Sequence, residues 1–292
     1  MDLIVGCGFL GSYTLKALLE QKARDVLATV RRPEGEPNLP GADFFICDVA
    51  DPARLQALKA RLGDTPLTVY YFAAFHQVDR LFEDPAAGKK VNLRALSDFL
   101  TLGLNVKRFF FASTDCIYGE NTEEYPAFPE EAPLCPVNEY GRQKAAAEAI
   151  VRSHGYTVLR FPFMLGPSLS AKPHFYDKAA AALQKGEPLE MIDGMVRSVL
   201  SYRQTAALLV QLSRLPAGSL PGILNVCGDE GLTKYEMGLG IAKRLGCDPA
   251  LVKRITEEEG RKFFKDARAH SAVMDNTRLK RLLGLPAIRW EL

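Results

Sequence analysis

The chain has 292 residues, 47% of them hydrophobic and 25% charged, with a formal net charge of +2. That length allows one large α/β domain or two unequal lobes. The near-neutral balance excludes the strong field of a nucleic-acid or membrane-surface binder, so neither partner is expected.

The N-terminus enters a strand pattern at once, and no apolar run reaches the length of a membrane span; no signal peptide is expected. Cys7, Cys47, Cys116, Cys135, Cys227 and Cys247 form no C-x-x-C pair, and several sit in apolar runs. They read as free thiols of a reducing cytoplasm, and no metal is expected.

The first half alternates apolar runs with helical patterns. "DLIVG" is a strand, and "LGSYTLKALLEQK" an amphipathic helix running to Lys22. "DVLATV" and "DFFICDV" are the second and third strands, followed by the helix "DPARLQALKARLG". "LTVYYFAA" is the fourth strand, "NLRALSDFLTLG" a helix and "VKRFFFAS" the fifth strand. A Pro-rich loop precedes the helix "YGRQKAAAEAIVRSHG" and the strand "TVLRFPF". Strands apolar on both faces, alternating with helices, predict a doubly wound parallel sheet of the Rossmann type.

Past Pro162 the rhythm loosens into helical pieces near 174–185, 203–213, 233–245, 256–266 and 275–283. The expected organisation is a dinucleotide-binding domain over 1–162, with segments near 195–226 returning to it. Residues 163–292 then form mainly a smaller, discontinuous substrate lobe. No Gly/Ser linker separates the halves, so a cleft between packed lobes is expected.

"IVGCGFLGS" places Gly6, Gly8 and Gly11 between the first strand and a helix, with Phe9 and Leu10 inside the turn. Such a turn lets a pyrophosphate approach the backbone and the helix N-terminus. At the end of the second strand, where a ribose-binding carboxylate would stand, the chain has Arg31 and Arg32. Guanidinium groups pair with phosphate, so NADPH is favoured, with NADH as the alternative. Asp48, beside Val49 at the end of the third strand, is a candidate acceptor for an adenine amino group, or else a helix cap.

The fifth strand ends in "FASTDCIYG", and Tyr140 follows Thr114 by 26 residues, then Lys144. The i, i+4 spacing puts phenol and ammonium on one helical face. The lysine charge, helped by an oxidised nicotinamide, is expected to lower the phenol's pKa, so that Tyr140 exchanges a proton with a carbonyl or alcohol oxygen held by Thr114.

These motifs together with "FAAFHQVDRLFEDPAAGKKVN", "LRFPFMLGP" and "MDNTRLKRLLGLP" resemble the extended short-chain dehydrogenase/reductases of the NAD-dependent epimerase/dehydratase superfamily. Within it they most resemble dTDP-4-dehydrorhamnose reductases and related sugar-nucleotide 4-ketoreductases of deoxysugar biosynthesis. The resemblance implies catalytic roles for Thr114, Tyr140 and Lys144. It also implies a cofactor groove lined by Phe72, Ala73 and Ala74 and passed by Phe161 and Phe163. His76, Ser113, Asp115, Arg197 and Arg203 become candidate substrate contacts, and a homodimer is implied. The usual G-x-x-G-x-x-G is altered, with Val5 at its first position, which implies a tighter turn.

Two rival functions remain at this stage. Cys116 stands where GDP-fucose synthases carry a cysteine that serves with a histidine in epimerisation, and His174, following "LGP", is the candidate histidine here, which makes an epimerase or a bifunctional epimerase/reductase the first alternative. A non-catalytic, NADP-sensing regulatory protein is the second.

Overall fold

The computed structural model describes residues 1–21, 25–170, 172–216 and 218–292. In the first half, β1 (Asp2–Val5), α1 (Phe9–Glu20), β2 (Val26–Val30), β3 (Asp43–Ile46), α2 (Pro52–Leu62) and β4 (Leu67–Tyr71) follow the expected order. Next come α3 (Val78–Glu83), α4 (Pro85–Lys89), α5 (Ala95–Leu100), β5 (Val106–Thr114), α6 (Glu139–Ser153) and β6 (Thr157–Phe161). The expected end of the first helix at Lys22 lies outside the described residues.

The second half contributes β7 (Phe163–Leu165), α7 (Phe175–Gln184), β8 (Leu189–Ile192), β9 (Val196–Ser201) and α8 (Tyr202–Ser213). After these come β10 (Ile223–Asn225), β11 (Gly231–Leu232), α9 (Lys234–Leu245), β12 (Val252–Ile255), α10 (Glu257–Arg261), β13 (Ser271–Ala272) and α11 (Thr277–Leu283).

Seven parallel strands form the main sheet in the order β10-β6-β5-β4-β1-β2-β3. Successive side chains alternate between its faces, as the pleat requires. Ile4, Tyr70 and Phe110 pack into one core with Leu15 and Leu18 of α1 and Leu208 and Leu209 of α8. Leu3, Val5, Tyr71, Phe109 and Phe111 pack into a second core with Leu55 of α2, Phe99 of α5 and Val151 of α6. The fold is thus a doubly wound α/β sheet with both faces covered.

Of the segment near 195–226, β9 belongs to a smaller sheet, where it pairs with β7, β11 and β13. By contrast α8 packs on α1, and β10 is the edge strand beside β6 in the main sheet.

Two helical expectations change. The helix expected from residue 92 begins earlier: Pro85 occupies the first turn of α4, and the Asp84 carboxylate accepts from the Ala87 N–H. A π-helical turn, Lys90–Arg94, then carries Asn92 into the interior. The helix expected over 256–266 stops at Arg261. The following segment crosses instead to α3, where the Asp79 carboxylate accepts from the N–H groups of Lys265 and Asp266 and from Arg268 (3.0, 3.2 and 2.9 Å). Three donors to one carboxylate outweigh another helical turn.

Candidate active site

The glycine-rich turn is tight. Gly6 has φ +95°, and a Cβ there would lie 2.7 Å from the Ala73 nitrogen. The β1–α1 turn therefore packs directly on the loop after β4, whose Phe72 and Ala73 N–H groups both donate to Val5 O (2.8 Å). The main-chain carbonyl of Val5 thus anchors the neighbouring loop. A Cβ on Gly8 would meet nothing within 4 Å, and α1 starts without a side-chain cap. The helix N-terminus therefore faces open space through its unpaired N–H groups, which is the requirement of a pyrophosphate.

Arg31 and Arg32 are both exposed at the end of β2. Asp48, half-buried, accepts from the Ala50 N–H, and Val49 beside it is buried. The residues present thus fit a nicotinamide dinucleotide, held by the α1 turn, the Arg31–Arg32 end of β2 and the Phe72–Ala74 loop. Phe161 is buried at the end of β6. Phe163 begins β7 and meets Phe175 edge-on, ring centroids 5.5 Å apart.

Thr114 ends β5 at the carboxyl edge of the sheet. Its hydroxyl donates to Asp115 Oδ1 (2.9 Å) and accepts from the Cys116 N–H (3.2 Å), closing a 3₁₀ turn over Asp115–Ile117. Helix α6 presents Tyr140 to this turn, beside Thr114, Asp115 and Cys116. Gly141 makes the approach possible: a Cβ there would sit 2.3 Å from Cys116 O and 2.8 Å from Pro136 Cβ. Replacing Gly141 by alanine must push α6 from the turn. We expect kcat to fall by about tenfold to a hundredfold, with cofactor affinity nearly unchanged, as steady-state kinetics and a cofactor titration would read.

The electrostatics differ from the simple expectation of an acidified phenol. Burial pushes the Tyr140 phenol up, and the neighbouring Cys116 and Asp115 push it further, while the Thr114 hydrogen bond opposes them. Lys144 is buried, and its ammonium donates to the Ala112 carbonyl and lies 4.1 Å from the Phe111 ring centroid. Desolvation lowers it to about 7, with Glu148 acting to raise it. The phenol is therefore fully protonated near neutrality, which is the state of a proton donor, and Lys144 is the nearby cation able to stabilise the phenolate left after transfer.

Asp115 is buried, its carboxyl raised by burial and eased by Arg197. The Cys116 thiol is pushed up to about 12 by burial and then by Asp115, to whose Oδ1 it donates at 3.5 Å. His174 starts α7; its ring centroid lies 4.2 Å from that of Phe9, and Nδ1 stands 3.3 Å from the Tyr202 hydroxyl. Burial, then the charge of His76, lowers it to about 4. His76 stands in the loop after β4, within electrostatic reach of both Lys144 and His174.

Arg197 donates to the carbonyls of Val196 (2.7 Å) and Ala269, and no ion pair among the described residues occupies it. Arg203 is exposed on the first turn of α8, beside Tyr13, and among the described residues makes no contact with Thr114, Tyr140 or Lys144.

Sequence reasoning missed three groups. Asn92 holds the loop after β4 in place: it accepts from the Phe75 N–H (2.8 Å) and donates to Phe75 O and to Gln143 of α6 (both 3.0 Å). Lys234 is surrounded by Phe163, Phe175 and Phe264, at 5.4–5.6 Å from their ring centroids. Burial, then the charges of Arg268 and Arg197, lowers Lys234 to about 8, with only Asp79 opposing. Third, the buried Glu148–Arg160 pair (2.7 Å) lies behind Lys144. A cavity of about 510 Å³ opens on that pair from outside, and none of Thr114, Tyr140 and Lys144 lines it. Each group joins residues far apart in the chain, so local pattern carries no signal for it.

Comparison with known proteins follows the geometry. The profile of the NAD dependent epimerase/dehydratase family matches residues 3–227. The beta subunit of methionine adenosyltransferase 2 from Xenopus tropicalis is 26% identical over 69% of this chain, and the match spans only 62% of that protein. The low-salt glycan biosynthesis protein Agl12 from Haloferax volcanii is 31% identical over the whole chain and 93% of its own length. Among solved structures, the Thermus thermophilus UDP-glucose 4-epimerase complex with NAD superposes with a TM-score of 0.81 at 25% identity, covering 96% of this chain and 92% of that one. The profile covers more than half of the chain, which therefore belongs to the NAD dependent epimerase/dehydratase family.

Proposed function

We propose that the protein is an NADPH-dependent reductase of a nucleotide-linked 4-keto-6-deoxy sugar. One observation carries the reading: a protonated phenol stands beside Thr114 and Asp115, and Arg197, which acts on Asp115, is gathered with Lys234 and Arg268 around the carboxylate of Asp79. A cation cluster short of counter-charge suits a diphosphate, and the phenol suits a ketone oxygen. Bound in its groove, the nicotinamide would supply the hydride. Thr114, its hydroxyl turned from Asp115 Oδ1 to the ketone oxygen, holds that oxygen by a hydrogen bond, Tyr140 donates the proton to it, and Lys144 stabilises the phenolate that remains. Phe163 and Phe175 help to exclude water from the cleft.

Arg31 and Arg32 support NADPH over NADH. Replacing both with alanine is expected to weaken NADPH binding by roughly tenfold to a hundredfold and to leave NADH binding nearly unchanged in fluorescence titrations. The same reading places the enzyme in the cytoplasm and pairs two copies through α5 and α6, which sedimentation would test.

One feature favours a second reading. Cys116 is protonated, and His174 is neutral near pH 7, so one group is in the acid form and the other in the base form. Such a pair could exchange protons beside the ketone before reduction, making a bifunctional epimerase/reductase. Incubation with dTDP-, GDP-, UDP- and CDP-4-keto-6-deoxy sugars in deuterated water separates the readings. Plain reduction leaves C3 and C5 unlabelled, whereas epimerisation places deuterium there.

A further inference from the structure

The face of α6 that carries Tyr140 and Lys144 continues, one turn on, to Glu148. Its carboxylate is almost completely buried and accepts four hydrogen bonds. Ser113 Oγ donates to Oε1 at 2.5 Å, Arg160 Nε to Oε1 and Oε2 at 3.0 and 3.3 Å, and Arg160 Nη2 to Oε2 at 2.7 Å. Arg160 Nη1 donates onward to the Tyr118 hydroxyl (2.6 Å) and to the Glu130 carbonyl (2.9 Å), and Tyr118 donates to Asn225 of β10 (2.8 Å). Lys144 meanwhile grips the carbonyl of Ala112, the residue before Ser113. Two consecutive residues of β5, immediately before Thr114, are thus held by two consecutive turns of α6.

Resting on the reductase reading above, we propose that Glu148 is a positioning residue for catalysis: it clamps Ser113 at the end of β5 and sets a buried carboxylate one helical turn from Lys144.

The surroundings leave Glu148 as the group suited to that role. Facing Lys144 are Glu148 from its own helix, the Phe111 ring and Ala112 carbonyl from β5, and His76 from the loop after β4, with Tyr140 one helical turn before it. Asp115 and Cys116 act on Tyr140. Facing Glu148 are Ser113 from β5 and Arg160 from β6, with Tyr118 and Glu130 beyond. Glu148 is the acidic neighbour that raises Lys144, against a desolvation that lowers it to about 7. The sign follows. Loss of the carboxylate charge lowers Lys144 further, so that more of it is neutral at pH 7.

The test is an NMR titration of Lys144 in the full chain labelled with [ε-¹³C]lysine, its signal assigned by absence in Lys144→Met. In Glu148→Gln the titration is expected to move down by about one unit, tenfold in proton affinity. Glu148→Asp, which keeps the charge, is expected to stay near the unmodified protein. If Glu148→Gln fails to fold, Glu148→Gln/Arg160→Met removes both charges and is expected to shift Lys144 in the same direction. An unchanged titration in the Gln form, or a shift shared equally by the Asp form, overturns the proposal. The basic limb of the kcat profile is expected to move down with the titration; a uniform drop in kcat without displacement of that limb marks a merely structural role and also overturns it. If no variant, nor the unmodified chain, turns over a 4-keto sugar nucleotide, the reductase reading fails, and the NMR titration still decides the charge coupling.

Discussion

Replacing Tyr140 with phenylalanine is expected to lower kcat by about 10²–10⁴-fold, the usual contribution of a positioned general acid. The ring stays, so the packing of α6 on the Asp115–Ile117 turn stays with it. Only the hydroxyl that meets Thr114 and would face the ketone is lost. Cofactor binding is therefore expected to change by no more than about twofold, because the glycine turn and the Arg31–Arg32 end of β2 are untouched. Single-turnover kinetics with a fluorescence titration of NADPH reads both quantities. A variant with normal turnover would remove Tyr140 from the chemistry; one with lost cofactor binding would make its role structural.

The second large effect concerns stability. Arg160 is 2% exposed, and its guanidinium bridges Glu148, Tyr118 and the Glu130 carbonyl, tying α6, β6 and the Pro-rich loop together. Arg160→Met leaves the Glu148 carboxylate buried without its partner. Breaking one side of such a pair costs about 3–5 kcal/mol, which lowers Tm by roughly 10 °C in a chain of this size. Removing both charges in Glu148→Met/Arg160→Met is expected to cost less, because no orphaned ion remains. Denaturant unfolding of the two single variants and the double variant gives the cycle. Equal losses in the single and double variants would mean that packing, not charge, dominates at this position.

Much of the site was legible because its parts are local. The turn Gly6-x-Gly8-x-x-Gly11, the Arg31–Arg32 pair and the i, i+4 spacing of Tyr140 and Lys144 each lie within one strand end, one turn or one helix. Periodicity of apolar residues likewise exposed the parallel sheet, since strands buried on both faces admit few other folds. What could not be read are partnerships closed only by the fold. Ser113 meets Glu148 across 35 residues, Asn92 meets Gln143 across 51, and Asp79 meets Arg268 across 189. The misjudged helix over 256–266 belongs here too, since the pull of Asp79 on Lys265 and Asp266 comes from α3. In the protein alone desolvation acts on both groups, raising Tyr140 and lowering Lys144, and the sequence does not show how deeply each is buried.

The electrostatic picture that results is internally consistent for reduction. A proton donor must hold its proton until the ketone is in place, and the raised phenol does so. The lysine behind it sits near its own titration point, where a small charge nearby has a large effect on its state.

The most direct trial of the whole reading uses NADPH carrying deuterium at nicotinamide C4, on the face from which hydride is delivered, together with a 4-keto-6-deoxy sugar nucleotide. Mass and NMR spectra of the product are predicted to show one deuterium at sugar C4 for each NADPH oxidised, with the absorbance at 340 nm lost in step. Cofactor that binds tightly yet is never oxidised by any member of the sugar-nucleotide panel would contradict the account and leave a sensor in its place.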